Sequence, residues 1–424
     1  MKSDTRRKAC VVCGAQLLDD LVHVGEQYPS AIYPKVDEDY KSAIRASSLN
    51  LTKCSNRDCG LVQLSHEYNL DYVLEHYPYL SGGTATMKGI LSDITKEVED
   101  IATLSKDDVV LDIGGNDGTL LSLLSRKVRH RINMDAAHGI VSVLDDPDYL
   151  RVQGKFLSKT YLELDIPFPK VISCVAMFYH LDNPLSFCKE VREIMNDETI
   201  LCIQMTYLGS MLESNIYDNI VHEHVAHYSL KSLEYLINKI GLEICDAKIA
   251  DSYGGSLRVF VMKSKDKFPK KYFRKNYAAV QRFESEKEIN TPEALIRFDE
   301  RIKLLASVTK ELITHVVDRS GKMMAFGAST KGNMMCQLMG INQDLIECVL
   351  DNNEKKIGLM MAGSDIPIVN EKDYLPKLPE YLLILPYYYL GFFKSFIEKY
   401  LKPQQHVYLL VPLPKPYFVK LSGQ

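Results

Sequence analysis

The chain has 424 residues, more than one ordinary hydrophobic core accommodates, so two or three domains are expected. Hydrophobic residues at 46% and charged residues at 25% are the balance of a soluble globular protein. A net charge of −4 gives no electrostatic case for a nucleic-acid partner or an anionic membrane. No apolar segment follows the basic start of the chain, and the longest apolar run, 381–393, is broken by Pro386. Neither a signal peptide nor a membrane span is therefore expected. The sequence reads as cytoplasmic, a monomer or weak homo-oligomer acting on a small molecule.

Four of the ten cysteines fall in the first 59 residues, as Cys10-Val-Val-Cys13 and Cys54-Ser-Asn-Arg-Asp-Cys59. In a reducing compartment two such pairs suit tetrahedral zinc better than disulfides. Four thiolates leave no open position for water, so one structural Zn2+ is expected. The other six cysteines mostly sit in apolar runs and read as core. Next comes a turn-rich linker carrying Tyr77 and Tyr79, aromatic candidates for substrate contact and for catalysis.

From about 88 to 245 helical and strand patterns alternate, which predicts a parallel, doubly wound sheet. Within it, Val110-Leu-Asp112-Ile-Gly114-Gly-Asn116-Asp-Gly118-Thr-Leu-Leu121 reads as strand, glycine turn and helix, where backbone approaches a ligand closely. A following strand ends in Asp135, about 20 residues on, where a carboxylate can accept both hydroxyls of a ribose. The spacing Asp112-x-Gly114-x-x-x-Gly118 lacks the dinucleotide pattern, so S-adenosyl-L-methionine (SAM) fits better than NAD. A charged, helix-rich stretch is expected over 284–318. A second α/β unit starts at Lys322, with Gly327-Ala-Ser329-Thr-Lys331-Gly-Asn333 as its strand–loop–helix turn, suited either to a phosphate or to simple helix capping. The expected domains are 1–75 (zinc), 76–245 (SAM) and 246–424 (Rossmann-like, with a preceding helical segment).

Taken in order, these motifs resemble the nucleotide-sugar C-methyltransferases, and the likeness covers nearly the whole chain. Cys10, Cys13, Cys54 and Cys59 correspond to that family's zinc ligands, and Asp112 to Gly118 to its SAM loop. Met177-Phe-Tyr-His180 resembles the segment beside the cofactor, and His222-Glu223-His224 the catalytic His-Glu-His. Gly254-Gly-Ser-Leu-Arg258, preceded by Tyr253, and the Ser329–Lys331–Asn333 loop match later motifs and are candidates for substrate binding. The resemblance implies a class I SAM-dependent methyltransferase domain, a nucleotide-linked keto-deoxysugar as substrate, and His224 as the base.

Methylating a sugar carbon needs a carbanion equivalent, and a neighbouring ketone makes that proton removable by a side chain. Imidazole suits the task because it titrates near working pH. In an extended backbone 222 and 224 share a face and 223 points away, so the three converge only if the chain turns. Several positions depart from the family pattern: Val221 stands for a usual tyrosine, Tyr253 for a histidine, Gln204-Met-Thr-Tyr207 for Glu-x-Pro-Tyr, and Pro386-Tyr387-Tyr for Trp-Asn. Transfer to oxygen or nitrogen, or retention of SAM and nucleotide binding without catalysis, are the alternative readings.

Overall fold

The structure, a computed structural model, describes residues 5–68, 80–252 and 254–423; the candidates Tyr77, Tyr79 and Tyr253 lie outside them. Near the N-terminus the strands Val22–Gln27, Ser47–Lys53 and Val62–Leu64 form an antiparallel sheet. Its fourth strand is Ala226–His227, which arrives from far along the chain and pairs with Val62–Leu64. That pairing fastens the His-Glu-His segment to the N-terminal lobe.

The central sheet has seven strands: β1 (Val109–Ile113), β2 (His130–Asp135), β3 (Tyr149–Gln153), β4 (Val171–Val175), β5 (Ile200–Thr206), β6 (Glu243–Ala250) and β7 (Ser256–Met262). Their order is β3-β2-β1-β4-β5-β7-β6. Every residue of β1, β5 and β7 is buried, as expected of strands covered on both faces. The first five strands run parallel, but β7 is antiparallel to both β5 and β6. The parallel, doubly wound arrangement expected of the strands up to β5 is present, and β6 and β7 add an antiparallel hairpin, because their connection is too short for a crossover. For the same reason the boundary expected at 245 falls inside β6, and the sheet runs on to Met262.

Helices α1 (Ala85–Ala102), α2 (Pro184–Glu193) and α3 (Leu230–Lys239) accompany this sheet. The helical stretch expected over 284–318 is two helices, α4 (Tyr277–Glu286) and α5 (Pro292–Ser320). Thr291 caps α5 by accepting from the Ala294 N–H, and Pro292 occupies the first turn, where its missing N–H costs nothing.

Six strands form the last sheet: β8 (Met323–Phe326), β9 (Ile346–Asp351), β10 (Ile368–Asn370), β11 (Tyr381–Ile384), β12 (His406–Val411) and β13 (Tyr417–Ser422), in the order β10-β9-β8-β11-β12-β13. All pairings are parallel except β12 with β13. Helix α6 (Thr330–Met339) follows β8. Val22, Leu51 and Leu64 of the N-terminal lobe share one core with Phe298 and Ile302 of α5 and Met334 of α6. Cys10, Cys54 and Cys59 belong instead to the core of the seven-stranded sheet. The N-terminal lobe thus packs against both larger units. Among the described residues no helix is long and apolar enough to cross a membrane.

Candidate active site and metal centre

The four N-terminal cysteines converge, with all four sulfurs within 4.8 Å of one another. Cys10 Sγ is 3.8 Å from Cys59 Sγ, and Cys13 Sγ is 3.3 Å from Cys54 Sγ. Four ligands at about 2.3 Å around one ion stand about 3.8 Å apart, so the cluster is compatible with zinc. The knuckle backbone turns back at left-handed Gly14 and Gly60, each directly after a cysteine. Buried Lys53 donates to the Gly60 carbonyl at 2.6 Å and so sets an ammonium beside the thiol cluster. The remaining six cysteines are all buried.

At the end of β1 the chain makes the turn anticipated from its glycines. Gly114 and Gly118 have positive φ, and a Cβ on Gly114 would come within 3.0 Å of the Met177 side chain. A Cβ on Gly115 would collide with Asn133 Oδ1 at 2.6 Å and Asp112 Oδ2 at 2.7 Å. The turn is therefore backbone pressed against neighbouring side chains. Asp112 accepts from Ser173 Oγ at 2.6 Å, and burial, opposed by that bond, pushes its carboxyl up to about 7. Asp135 ends β2 and braces the loop, accepting from the Asn116 N–H at 2.8 Å and the Ala137 N–H at 2.7 Å. Asn116, itself at positive φ, accepts from the Ser81 N–H through Oδ1. Asn133 Oδ1 and Arg151 Nη2, beside the same loop, are buried without a protein partner. Such orphaned polar atoms are what a polar ligand completes.

The His-Glu-His segment does turn: the His224 N–H donates to the Val221 carbonyl at 3.0 Å. Its side chains consequently part. His222 Nε2 lies 3.2 Å from Ser47 Oγ and its ring packs edge-on against Tyr68, so it faces the N-terminal lobe and not His224. Glu223 is buried, its Oε2 has no protein partner, and burial pushes its carboxyl up to about 7. His224 Nδ1 lies 2.7 Å from the Asn219 carbonyl, which can only accept. The proton must therefore reside on Nδ1, leaving Nε2 as the basic nitrogen. Burial, followed by the neighbouring His180, Lys331 and His227, holds this imidazole well below its ordinary value, so it is neutral near pH 7.

His180 donates through Nδ1 to the Glu223 carbonyl at 2.6 Å, and its ring lies 5.3 Å from that of His224. Tyr179 packs against His224 at 4.2 Å between ring centroids. From the second α/β unit Lys331 reaches in, its Nζ 2.5 Å from Asn219 Oδ1 and 4.9 Å from the Tyr388 ring centroid. Both Tyr387 and Tyr388 donate to the fully buried Asp218, whose carboxyl burial pushes up to about 6. A cavity of about 410 Å3 opens against these tyrosines, with Thr86, Ile216, Asp251 and Ser252 on its other walls.

Two expected substrate residues are engaged elsewhere. The guanidinium of Arg258, on β7, donates to Gln204, Glu97 and Asp93 and is 1% exposed. It bolts α1 to the sheet and has no face open to a ligand. Asn333 is fully buried and binds the Ser30 carbonyl and Ser364, joining the N-terminal lobe to α6. Ser329 caps α6 by accepting from the Gly332 N–H. Asp218, Asn219, Tyr387 and Tyr388 are the residues that sequence reasoning did not nominate. The only trace in the sequence was that the tyrosines stand where the resemblance expected Trp-Asn.

Parallel strands β1 to β5, an antiparallel seventh strand inserted beside β5, and an acid-braced glycine turn after β1 define a class I SAM-dependent methyltransferase. Residues 86–247 match the family model described as methyltransferase domain, and residues 251–414 that described as C-methyltransferase C-terminal domain. The C-methyltransferase NovU of Streptomyces niveus is 24% identical over 416 residues, covering 98% of this chain and 97% of NovU. The chain thus carries both a methyltransferase domain and a C-methyltransferase C-terminal domain. Among solved structures, CalO1, a methyltransferase in calicheamicin biosynthesis, is 14% identical with a TM-score of 0.32 over 42% of this chain and 55% of its own. Magnesium protoporphyrin IX methyltransferase from Synechocystis PCC 6803 is 10% identical with a TM-score of 0.33 over 42% of this chain and 83% of its own.

Proposed function

We propose that the protein methylates the carbon next to a ketone in a nucleotide-linked keto-deoxysugar, with His224 as the base. The observation that carries this reading is the His224 imidazole, locked by Asn219 with Nε2 basic and kept neutral by its surroundings. A buried neutral base fits proton abstraction from carbon, and direct transfer to an amine or hydroxyl makes less demand on one.

In this reading Nε2 of His224 takes the proton α to the ketone, and the carbon left behind becomes the nucleophile. Glu223, with an unpartnered buried oxygen, accepts a sugar hydroxyl. Lys331 adds positive charge beside the base, where it stabilises negative charge developing on the ketone oxygen. SAM, when bound, supplies the electrophilic methyl group. Gly114, Asn116, Gly118 and Met177 would line its bed, with Asp135 at the ribose and Asp112 beneath the turn. Cys10, Cys13, Cys54 and Cys59 would hold one structural zinc that ties the N-terminal lobe together without touching substrate.

Incubating the enzyme and a ketosugar in deuterated water with S-adenosylhomocysteine isolates the first step from methylation. Wild type exchanges the α proton and His224→Asn does not. Methyl transfer to oxygen or nitrogen, with no exchange at carbon, favours the alternative chemistry instead.

A further inference from the structure

The base is not finished within the methyltransferase domain. Asn219 uses its backbone carbonyl to fix the His224 tautomer and its side-chain oxygen to receive Lys331. One residue therefore joins the imidazole to an ammonium carried by α6 of the second α/β domain. The lysine side chain is itself confined, lying against the Tyr388 ring with Nζ 3.5 Å from Tyr388 Oη. Tyr387 and Tyr388 in turn hold the fully buried carboxyl of Asp218, the residue before Asn219.

We infer that Lys331 is a positioning residue for His224, and that Asp218 with the Tyr387–Tyr388 pair clasps the second domain so that the base is completed only when that domain is seated. The inference rests on reading His224 as the base and adds how that base is set. A lysine that merely held a substrate phosphate needs no bond to Asn219, and this one meets it at 2.5 Å. Lys331 also lowers the His224 value, because a positive charge on the imidazole is costly beside a second cation, and so helps keep the base unprotonated. Other titratable groups packed around His224 are His180 and Tyr179 after β4, and Glu223 and His227 on its own segment. Among the charges that lower the His224 value, Lys331 stands with His180 and His227, and it is the one contributed by the second domain.

No sugar is needed to test this. Full-length protein labelled with 15N-histidine and saturated with S-adenosylhomocysteine reports each imidazole directly, and His224 is assigned by the signal lost in His224→Gln. The wild type should show Nδ1 protonated and Nε2 bare, with no protonation through the ordinary histidine range. Lys331→Met should shift the His224 titration upward and mix the tautomers. Lys331→Gln, which can still donate to Asn219, should keep the tautomer while shifting the titration, and it serves if the Met variant does not fold. Lys331→Arg keeps the charge and should stay near wild type. A folded Lys331→Gln protein whose His224 titrates as in wild type overturns the inference. If His224 responds as stated but ketosugar exchange is absent, the positioning stands and the base assignment falls. If exchange needs His224 but its titration ignores Lys331, the reverse holds.

Discussion

Arg258 and Gln204 face each other across the β5–β7 pairing, with Arg258 Nε donating to Gln204 Oε1 at 2.6 Å. The rest of the guanidinium reaches Glu97 and Asp93 on α1. A cation that is 1% exposed with three partners is a fastener between helix and sheet. Arg258→Met should therefore destabilise the protein by about 3 kcal/mol, the low end for breaking a buried pair, since Asp93 is mostly exposed and loses little. Urea unfolding measures that loss. Unchanged stability with a raised KM for the sugar would return Arg258 to the substrate site.

Much of the scaffold was legible because it follows from local pattern. Glycines at 114 and 118 need positive φ, two closely spaced cysteine pairs can converge on one point, and buried parallel strands need apolar runs. Roles that depend on distant partners were not legible. Nothing local says that Asp218 meets Tyr387 and Tyr388 some 170 residues away, or that Asn333 is spent on Ser30. The Gly254-Gly255 motif is a similar case. A Cβ on Gly255 would lie 2.2 Å from Ser210 Oγ, so that glycine lets the helix Leu208–Glu213 pack close to β7, a reason invisible in the motif itself. The contact of His180 with the Glu223 carbonyl and the His224 ring likewise depends on partners more than 40 residues away.

Purified protein should contain about one zinc per chain, because four convergent thiolates satisfy one tetrahedral ion. Elemental analysis of a Cys10→Ser/Cys13→Ser variant should show the metal gone. The strands 22–27, 47–53 and 62–64 should then lose protection from hydrogen exchange before the seven-stranded sheet does. Metal retained at wild-type content in that variant rules out this site.

Asp135 already braces the loop through one bond to each oxygen. A carboxylate oxygen has two lone pairs, so each can still accept a ribose hydroxyl. Asp135→Ala removes both the brace and the acceptor and should weaken S-adenosylhomocysteine by about 1.5–3 kcal/mol or more, upward of tenfold. Asp135→Asn keeps one acceptor oxygen and should fall between. Calorimetric titration that finds Asp135→Ala at wild-type affinity would show that the ribose lies elsewhere.

The pH dependence of α-proton exchange separates His224 from its neighbour Glu223. A base acts only when unprotonated, so its rate is lost as pH falls through its own value in the folded protein. Burial, His180, Lys331 and His227 push that value for His224 well below 6.5. Exchange catalysed by His224 should therefore stay level from pH 8 down through the ordinary histidine range and decline only under more acidic conditions. Burial pushes the Glu223 carboxyl up to about 7, so a mechanism with Glu223 as base would lose its rate near neutrality. Deuterium uptake into the ketosugar, followed by mass spectrometry across that range, distinguishes the two curves. His224→Asn should lower exchange by about 10²–10⁴-fold at every pH while leaving S-adenosylhomocysteine affinity intact. Glu223→Gln should mainly raise KM, because it keeps the shape and loses only the charge that receives a sugar hydroxyl. At saturating ketosugar, a decline centred near pH 7 together with loss of exchange in Glu223→Gln would move the base from the histidine to the carboxylate.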